Sequence, residues 1–291
     1  MLTRYAPSPT GYLHLGHAAH MIWVWGAARR LGAEVLLRIE DHDRGRCRPE
    51  YETAIYEDLA WLGFDWPNEI AHPSPYRQSD NETAYQRAFE ELLAKGLVYR
   101  CDCSRKRIME HSRQALSGEW IYSGYCRDRD VPADQPHGLR VRMEPGPESF
   151  HDLRLGEQQQ APASQCGDVL IRDRMDQWTY QFCVVVDDIR HGVDLVIRGE
   201  DLLDSTGRQI RLGRLLSRPE PPHFLHHPLI LDDEGQKLSK RTAAGPIREL
   251  REQGRSAQSI LGEAACRVGL TDRPEPLSLD EALEMLRAEL D

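Results

Sequence analysis

At 291 residues the chain is long enough for one large domain or two small ones with complete cores. Its 40% hydrophobic and 29% charged composition, with no membrane-length apolar run and no basic-then-apolar leader, reads as a globular protein and argues against a membrane-spanning or secreted one. The net charge of −10 counts mildly against RNA binding without excluding it, and any RNA contact must come from local basic patches. Seven cysteines, an odd number without a leader, predict reduced thiols and a cytoplasmic location.

In chain order, residues 2–6 read as a short buried strand broken by Pro7, Pro9 and Gly11. His14-Leu15-Gly16-His17 then opens a helix over residues 18–31 that closes at Gly32. The two histidines share the first turn, where unpaired N–H groups and the helix dipole favour phosphate. Taken alone, such a pair is an ordinary helix start. Residues 34–39 form a second apolar strand, ending in Glu40-Asp41-His42-Asp43-Arg44, at the end of the strand where open α/β sheets bind ligands. Helices follow over 49–62 and 79–94, a strand–helix order that predicts a doubly wound parallel sheet.

Residues 97–167 change character, with scattered Pro and Gly and a basic start at Arg100, Arg105, Lys106, Arg107 and Arg113. An inserted mixed subdomain is expected here, with an antiparallel strand at 139–143 and a polar surface loop at 157–160. Strands are expected at 168–172, 180–186 and 194–197, then a helix over 204–218. On that helix Arg208, Arg211, Arg214 and Arg218 make a stripe that is either an RNA contact or a solvated face. A strand-like run at 228–231 precedes an Asp-Asp-Glu-Gly turn and Lys237-Leu238-Ser239-Lys240-Arg241. Two helices, over 256–268 and 279–290, end the chain.

The histidine pair and the lysine loop, in that order, resemble the HIGH and KMSKS signatures of class I aminoacyl-tRNA synthetases. RYAPSPTG at 4–11 and RGEDLLDST at 198–206 narrow the resemblance to the glutamyl branch, over residues 2–241. Leu238 and Arg241 stand where many relatives have Met and Ser, leaving both lysines in place. The resemblance implies a Rossmann-like catalytic domain in two halves (1–96 and 168–241), an inserted zinc-binding, acceptor-like subdomain (97–167) and a C-terminal helical segment (242–291). It implies that His14, His17 and Lys240 are catalytic and that His14, His17, Lys237 and Lys240 bind ATP, supplied with Mg²⁺. Arg4, Ser8, Glu40, Tyr180 and Arg198 match the family's glutamate-binding positions. Glu40 suits the ammonium and the arginines suit carboxylates, but which arginine takes which carboxylate stays open. Cys101, Cys103, Cys126 and Tyr122 match a zinc site in a C-x-C…Y-x-x-x-C pattern. His111 and Tyr125 compete as the fourth ligand, and unligated cysteines are the alternative. Cys47, Cys166, Cys183 and Cys266 have no partner pattern and read as packing residues.

Only 50 residues follow Arg241, too few for an anticodon-reading domain. On that expectation the chain resembles the truncated glutamyl-tRNA synthetase paralogues, the glutamyl-queuosine tRNA(Asp) synthetases. These activate glutamate and esterify it to queuosine at the wobble position. The implied partners are the anticodon arm of tRNA(Asp), L-glutamate and ATP, with no membrane, for a protein expected to be a monomer. Two alternatives stay open: a compact synthetase charging the 3′ end of tRNA(Glu), and a regulatory paralogue that binds glutamyl adenylate without transferring it to RNA.

Overall fold

The computed structural model describes residues 1–65, 76–115, 118–230 and 245–286. Strands β1 (Leu2–Tyr5) and β2 (Glu34–Leu37) pair in parallel, Leu2 opposite Glu34, and helix α1 (Leu15–Leu31) connects them. Met21, Ile22, Trp23 and Val24 are all buried, so α1 is enclosed on every side and sits in the middle of the core. Gly32 closes it with a left-handed φ of 63° that a side chain would resist. Next come α2 (Pro49–Leu62), a 3-10 turn at Gln78–Asp80 and α3 (Glu82–Ala94).

The middle of the chain holds β3 (Val98–Cys101), α4 (Arg105–His111), β4 (Arg113–Gln114), β5 (Trp120–Ile121) and β6 (Gly138–Val141). The hairpin strands β7 (Glu148–Asp152) and β8 (Gly156–Gln160) follow, then α5 (Pro162–Gln165) and β9 (Val169–Arg172). Strand β6 lies between β3 and β9, antiparallel to both. The chain continues through α6 (Tyr180–Arg190), β10 (Leu195–Gly199), a 3-10 stretch at Glu200–Ser205, α7 (Thr206–Leu215) and β11 (His223–His227).

Strand β11 pairs in parallel with β10 on one side and β7 on the other, and β8 forms the edge. Strand β10 is tied to β1, because Asp194 N–H donates to the Leu2 carbonyl at 3.1 Å and Leu2 N–H to Asp194 Oδ1 at 2.6 Å. Helices α8 (Ile247–Glu252), α9 (Ala257–Arg267) and α10 (Leu279–Glu284) follow, and α9 and α10 pack on α1. One apolar cluster thus joins Trp23, Leu37, Ile197, Leu261 and Leu286. No described helix is long and apolar enough to cross a membrane.

Several sequence expectations are corrected. Residues 180–186 are helix, the first part of α6, not strand. Phe182 to Asp188 are all buried, so the run carries no period, and a short β-branched stretch without a period fits either structure. Residues 157–160 are strand β8, not a loop, because the glutamines hydrogen-bond across to β7. The strand expected at 228–231 lies earlier, at His223–His227. The final helix is Leu279–Glu284, and residues 287–291 lie outside the described residues.

The approach of the last segment to α9 is close. A Cβ on Gly262 would come within 1.8 Å of the Glu275 carbonyl oxygen. Gly262→Ala is therefore expected to cost about 1–3 kcal/mol through overpacking. A urea unfolding midpoint equal to the parent's would contradict this contact.

Candidate active site

The histidine pair is built into the helix start. His14 is the extended N-cap residue of α1, and its Nδ1 accepts from Gly16 N–H at 3.0 Å. His17 Nδ1 accepts in turn from His14 N–H at 3.1 Å, forming a capping box made of imidazoles. The glycine between them is required, because a Cβ at position 16 would meet the His14 ring at 2.7 Å. A ring nitrogen that accepts from an amide carries no proton. In each neutral ring the proton therefore sits on Nε2, the nitrogen able to donate to an anionic oxygen. The two rings lie 4.0 Å apart.

A second feature is a buried charge cluster. Asp188, at the end of α6, accepts at Oδ1 from Arg4 Nε (3.2 Å) and Arg38 Nη1 (2.7 Å). Arg38 Nη2 also reaches Glu40 Oε1 at 3.0 Å, and Arg4 Nη1 donates to the Ile197 carbonyl at 3.3 Å. Burial raises the Asp188 pKa, but the two arginines outweigh it and hold the carboxyl below its usual range. Burial likewise opposes the Arg38 charge, and Asp188 and Glu40 more than restore it. Ser8 Oγ donates to the Glu40 carbonyl at 2.7 Å, fixing the loop after β1 to the end of β2. Burial raises the Tyr180 pKa, and the ring feels the charges of Glu40, Arg198 and Arg4. Four of the five glutamate positions named from the sequence, Arg4, Glu40, Tyr180 and Arg198, thus interact electrostatically, and Ser8 is bonded to Glu40.

Arg198 differs from the other two arginines. Its Nε donates to His226 Nε2 (3.0 Å), Nη1 to Gln209 Oε1 (2.6 Å) and Nη2 to Thr206 Oγ1 (2.7 Å). All three acceptors are neutral. Asp152 Oδ2 accepts from His226 Nδ1 at 2.6 Å, which leaves the Nε2 lone pair facing Arg198. Burial pushes the Arg198 pKa down to about 10, leaving it charged at neutral pH. Sequence reasoning missed Asp152, Gln209 and His226, and also Arg38 and Asp188. The signals were slight: the Asp187-Asp188 pair, the His226-His227 pair, and Thr206 within a motif already singled out.

Cys101, Cys103 and Cys126 are buried, and their sulfurs lie within 4.8 Å of one another. Tyr122 Oη is 3.3 Å from Cys101 Sγ and 3.9 Å from Cys103 Sγ. Arg140 Nε and Arg129 Nη1 each reach a sulfur at 3.4 Å, where they would stabilise thiolates. Burial raises the Cys101 pKa, but Tyr122 and Arg140 bring it below the ordinary thiol value. Three soft donors with a phenol beside them suit a tetrahedral metal. His111 and Tyr125, the competing candidates, stack on each other at 5.0 Å. All seven cysteines are free thiols.

The arginine stripe, Arg208, Arg211 and Arg214 on α7 with Arg218 beyond its end, is not a free phosphate-binding face. Arg208 is paired with Glu119, both Arg211 and Arg214 with Glu148, and Arg218 donates to the Val193 and Glu220 carbonyls. The helix is covered by neighbouring strands, so its arginines are consumed internally. Lys237 and Lys240 lie outside the described residues.

A family model described as "tRNA synthetases class I (E and Q), catalytic domain" matches residues 1–287. Two similar curated proteins are both called glutamyl-Q tRNA(Asp) synthetase. That of Symbiobacterium thermophilum is 40% identical, over 96% of this chain and 90% of its own length. That of Rhodobacter capsulatus is 38% identical, over 89% of this chain and 98% of its own. Among solved structures, a glutamate tRNA ligase from Elizabethkingia meningosepticum, in complex with its amino acid, superposes with a TM-score of 0.77 and 26% identity. This chain is covered to 98% and spans 64% of that ligase. A Mycobacterium tuberculosis methionyl-tRNA synthetase (TM-score 0.54, 11% identity) shares the fold alone.

Removing Asp188 leaves Arg4 and Arg38 facing each other in the core. Asp188→Ala is expected to lose about 3–5 kcal/mol of stability. Because the folded pKa is depressed, this contribution is complete above the unfolded value of 3.8 and is lost as pH falls through the folded one. Urea titrations below pH 4 should therefore show a steeper acid decline for the parent than for the variant.

Proposed function

Because the chain belongs to the class I tRNA synthetases of the E and Q type, we propose that it activates L-glutamate with ATP and transfers the glutamyl group to the queuosine base of tRNA(Asp). The observation that carries this reading is the near end-to-end match to relatives whose name joins glutamyl-Q to tRNA(Asp). The buried cluster supports the choice of amino acid. Among the described residues Arg4 and Arg38 form their ion pairs with Asp188 and Glu40, whereas Arg198 has no ion pair, which leaves its positive charge without a carboxylate. Glutamate, with net charge −1, neutralises it; zwitterionic glutamine does not.

In the first step a glutamate carboxylate oxygen attacks the α-phosphorus of ATP. An acyl–phosphate bond forms, and pyrophosphate leaves with the electron pair of the broken bond. Positioning and charge stabilisation carry such a step. His14 and His17 donate from Nε2 to phosphate oxygens, and Lys237 and Lys240 bind ATP, Lys240 meeting the departing pyrophosphate. Glu40 takes the ammonium, Ser8 and Tyr180 line the amino-acid pocket, and Arg4 and Arg198 take carboxylates. In the second step a hydroxyl of queuosine's cyclopentenediol attacks the acyl carbon. The ester forms, AMP leaves with the electron pair, and the hydroxyl proton passes to the departing phosphate.

In this reading the parallel pairs β1–β2 and β10–β11 belong to a Rossmann-like doubly wound domain, residues 1–96 and 168–241, and β7, from the intervening stretch, pairs with β11 at its side. Residues 97–167 form the inserted subdomain and 242–291 the helical end of a monomer that docks on the anticodon arm. Zinc, held by Cys101, Cys103, Cys126 and Tyr122, has a structural role there.

The zinc assignment predicts about one equivalent of metal per chain, as a closed four-ligand site requires. The double variant Cys101→Ser with Cys103→Ser should lose it, and Tyr122→Phe tests the phenol separately. Retention of full metal by the double variant refutes the site. The acceptor is tested with labelled glutamate, ATP and tRNA(Asp) with or without queuosine. Label is expected only on the queuosine-containing RNA, and a blocked 3′-terminal ribose should leave it intact. Label on tRNA(Glu) that disappears with the same block would instead establish a 3′-charging enzyme.

A further inference from the structure

A cavity of about 520 Å³ opens beside Tyr180, between the start of α6 and the segment that carries the cysteines. Its walls bring together features that neither activation nor metal binding uses. Met109 on α4 is 53% exposed, an unusual state for a methionine, and Trp120 on β5 stands near it. Glu119 receives Arg208 Nη1 at 2.7 Å and Nη2 at 2.5 Å, yet remains half-exposed. Arg208 itself is only 7% exposed, and its Nε–H has no acceptor among the described residues. Arg105, on the exposed start of α4, also lines the cavity and supplies positive charge at its rim. This protein is acidic overall and the arginines of α7 are spent internally, so such local cations matter to an RNA phosphate.

We propose that this cavity seats the acceptor nucleoside, a deazapurine base bearing a secondary ammonium and a vicinal diol. The inference rests on the reading of the protein as a queuosine-directed ligase. An extruded base stacks against Met109 and Trp120, as single-stranded bases do on apolar and aromatic side chains. The outer lone pairs of Glu119 accept from the side-chain ammonium, and a base or diol oxygen accepts from the unsatisfied Arg208 Nε–H. Tyr180 belongs to both the amino-acid cluster and the cavity wall, which sets the diol next to the activated glutamyl group. A hydrogen-bonded chain continues the connection. Arg198 donates to Gln209, and Gln209 donates to Gln181 in the cavity wall.

The test compares two rates in the same preparations: glutamate-dependent pyrophosphate exchange, and transfer of labelled glutamate to queuosine-containing tRNA(Asp). Glu119→Gln keeps the shape of the side chain and removes its charge. Met109→Glu changes a side chain already in solvent, so it does not threaten folding. In both variants the ratio of transfer to exchange is expected to fall at least tenfold. Parental transfer to queuosine RNA with both ratios within twofold of the parent's overturns the cavity assignment alone. Parental transfer to tRNA(Glu) and none to queuosine RNA overturns the underlying reading, and the nucleoside assigned here with it.

Discussion

The structure turns on one carboxylate. Asp188 sits where β1, β2 and α6 converge, and its Oδ1 is shared by Arg4 of β1 and by Arg38, the residue after β2. Taking three charges out of water is expensive, and the arrangement holds only because each has partners on more than one element. The same contacts that fix α6 against the parallel pair therefore also fix Arg4, Glu40 and Tyr180 relative to one another. Fold and proposed binding site are not separable here. The site lies at the point where the buried ions oblige the elements to meet.

Arg198 follows the opposite rule. Where Arg4 and Arg38 share an acid, Arg198 is surrounded by an imidazole, an amide and a hydroxyl. Its geometry is fixed without its charge being cancelled, and Asp152 acts at one remove by setting the His226 tautomer. A rigid, unneutralised guanidinium is poorly accommodated until an anion arrives, and that favours an acidic ligand over its amide.

Much of this was legible in the sequence, and the failures have physical causes. The turn from β1 into α1 was readable because proline, glycine and a capping pair punctuate it, and the helices over 49–62 and 256–268 because their caps are conventional. The segment 180–186 was misread because burial on all sides erases the alternation that separates strand from helix. The glutamines of β8 looked like a loop because an edge strand needs few apolar residues. Gln160, moreover, uses its amide to bond the Leu203 carbonyl and Gly207 N–H. Arg208, Arg211 and Arg214 were correctly placed on a helix and Arg218 lies beyond its end, but a helical period does not say whether the surrounding acids lie sixty or ninety residues away. The proposed glutamate positions were named through motif resemblance. Their supports, Asp152, Gln209 and His226, were not, since nothing local distinguishes a buried histidine that holds an arginine from one that merely packs.

His14 and His17 each divide their two nitrogens between separate duties. In each ring Nδ1 closes the first turn of α1, and Nε2 carries the proton of the neutral ring, the one the proposed mechanism gives to phosphate. Asparagine is among the best helix caps, so it would satisfy the first duty at position 14 while abolishing the second. A gene that drifted that way would still yield a folded, ligand-shaped protein, chemically silent yet durable enough to be kept for some other use. On the proposed mechanism, stability and reactivity are inherited through the same imidazoles but are free to part company one nitrogen at a time.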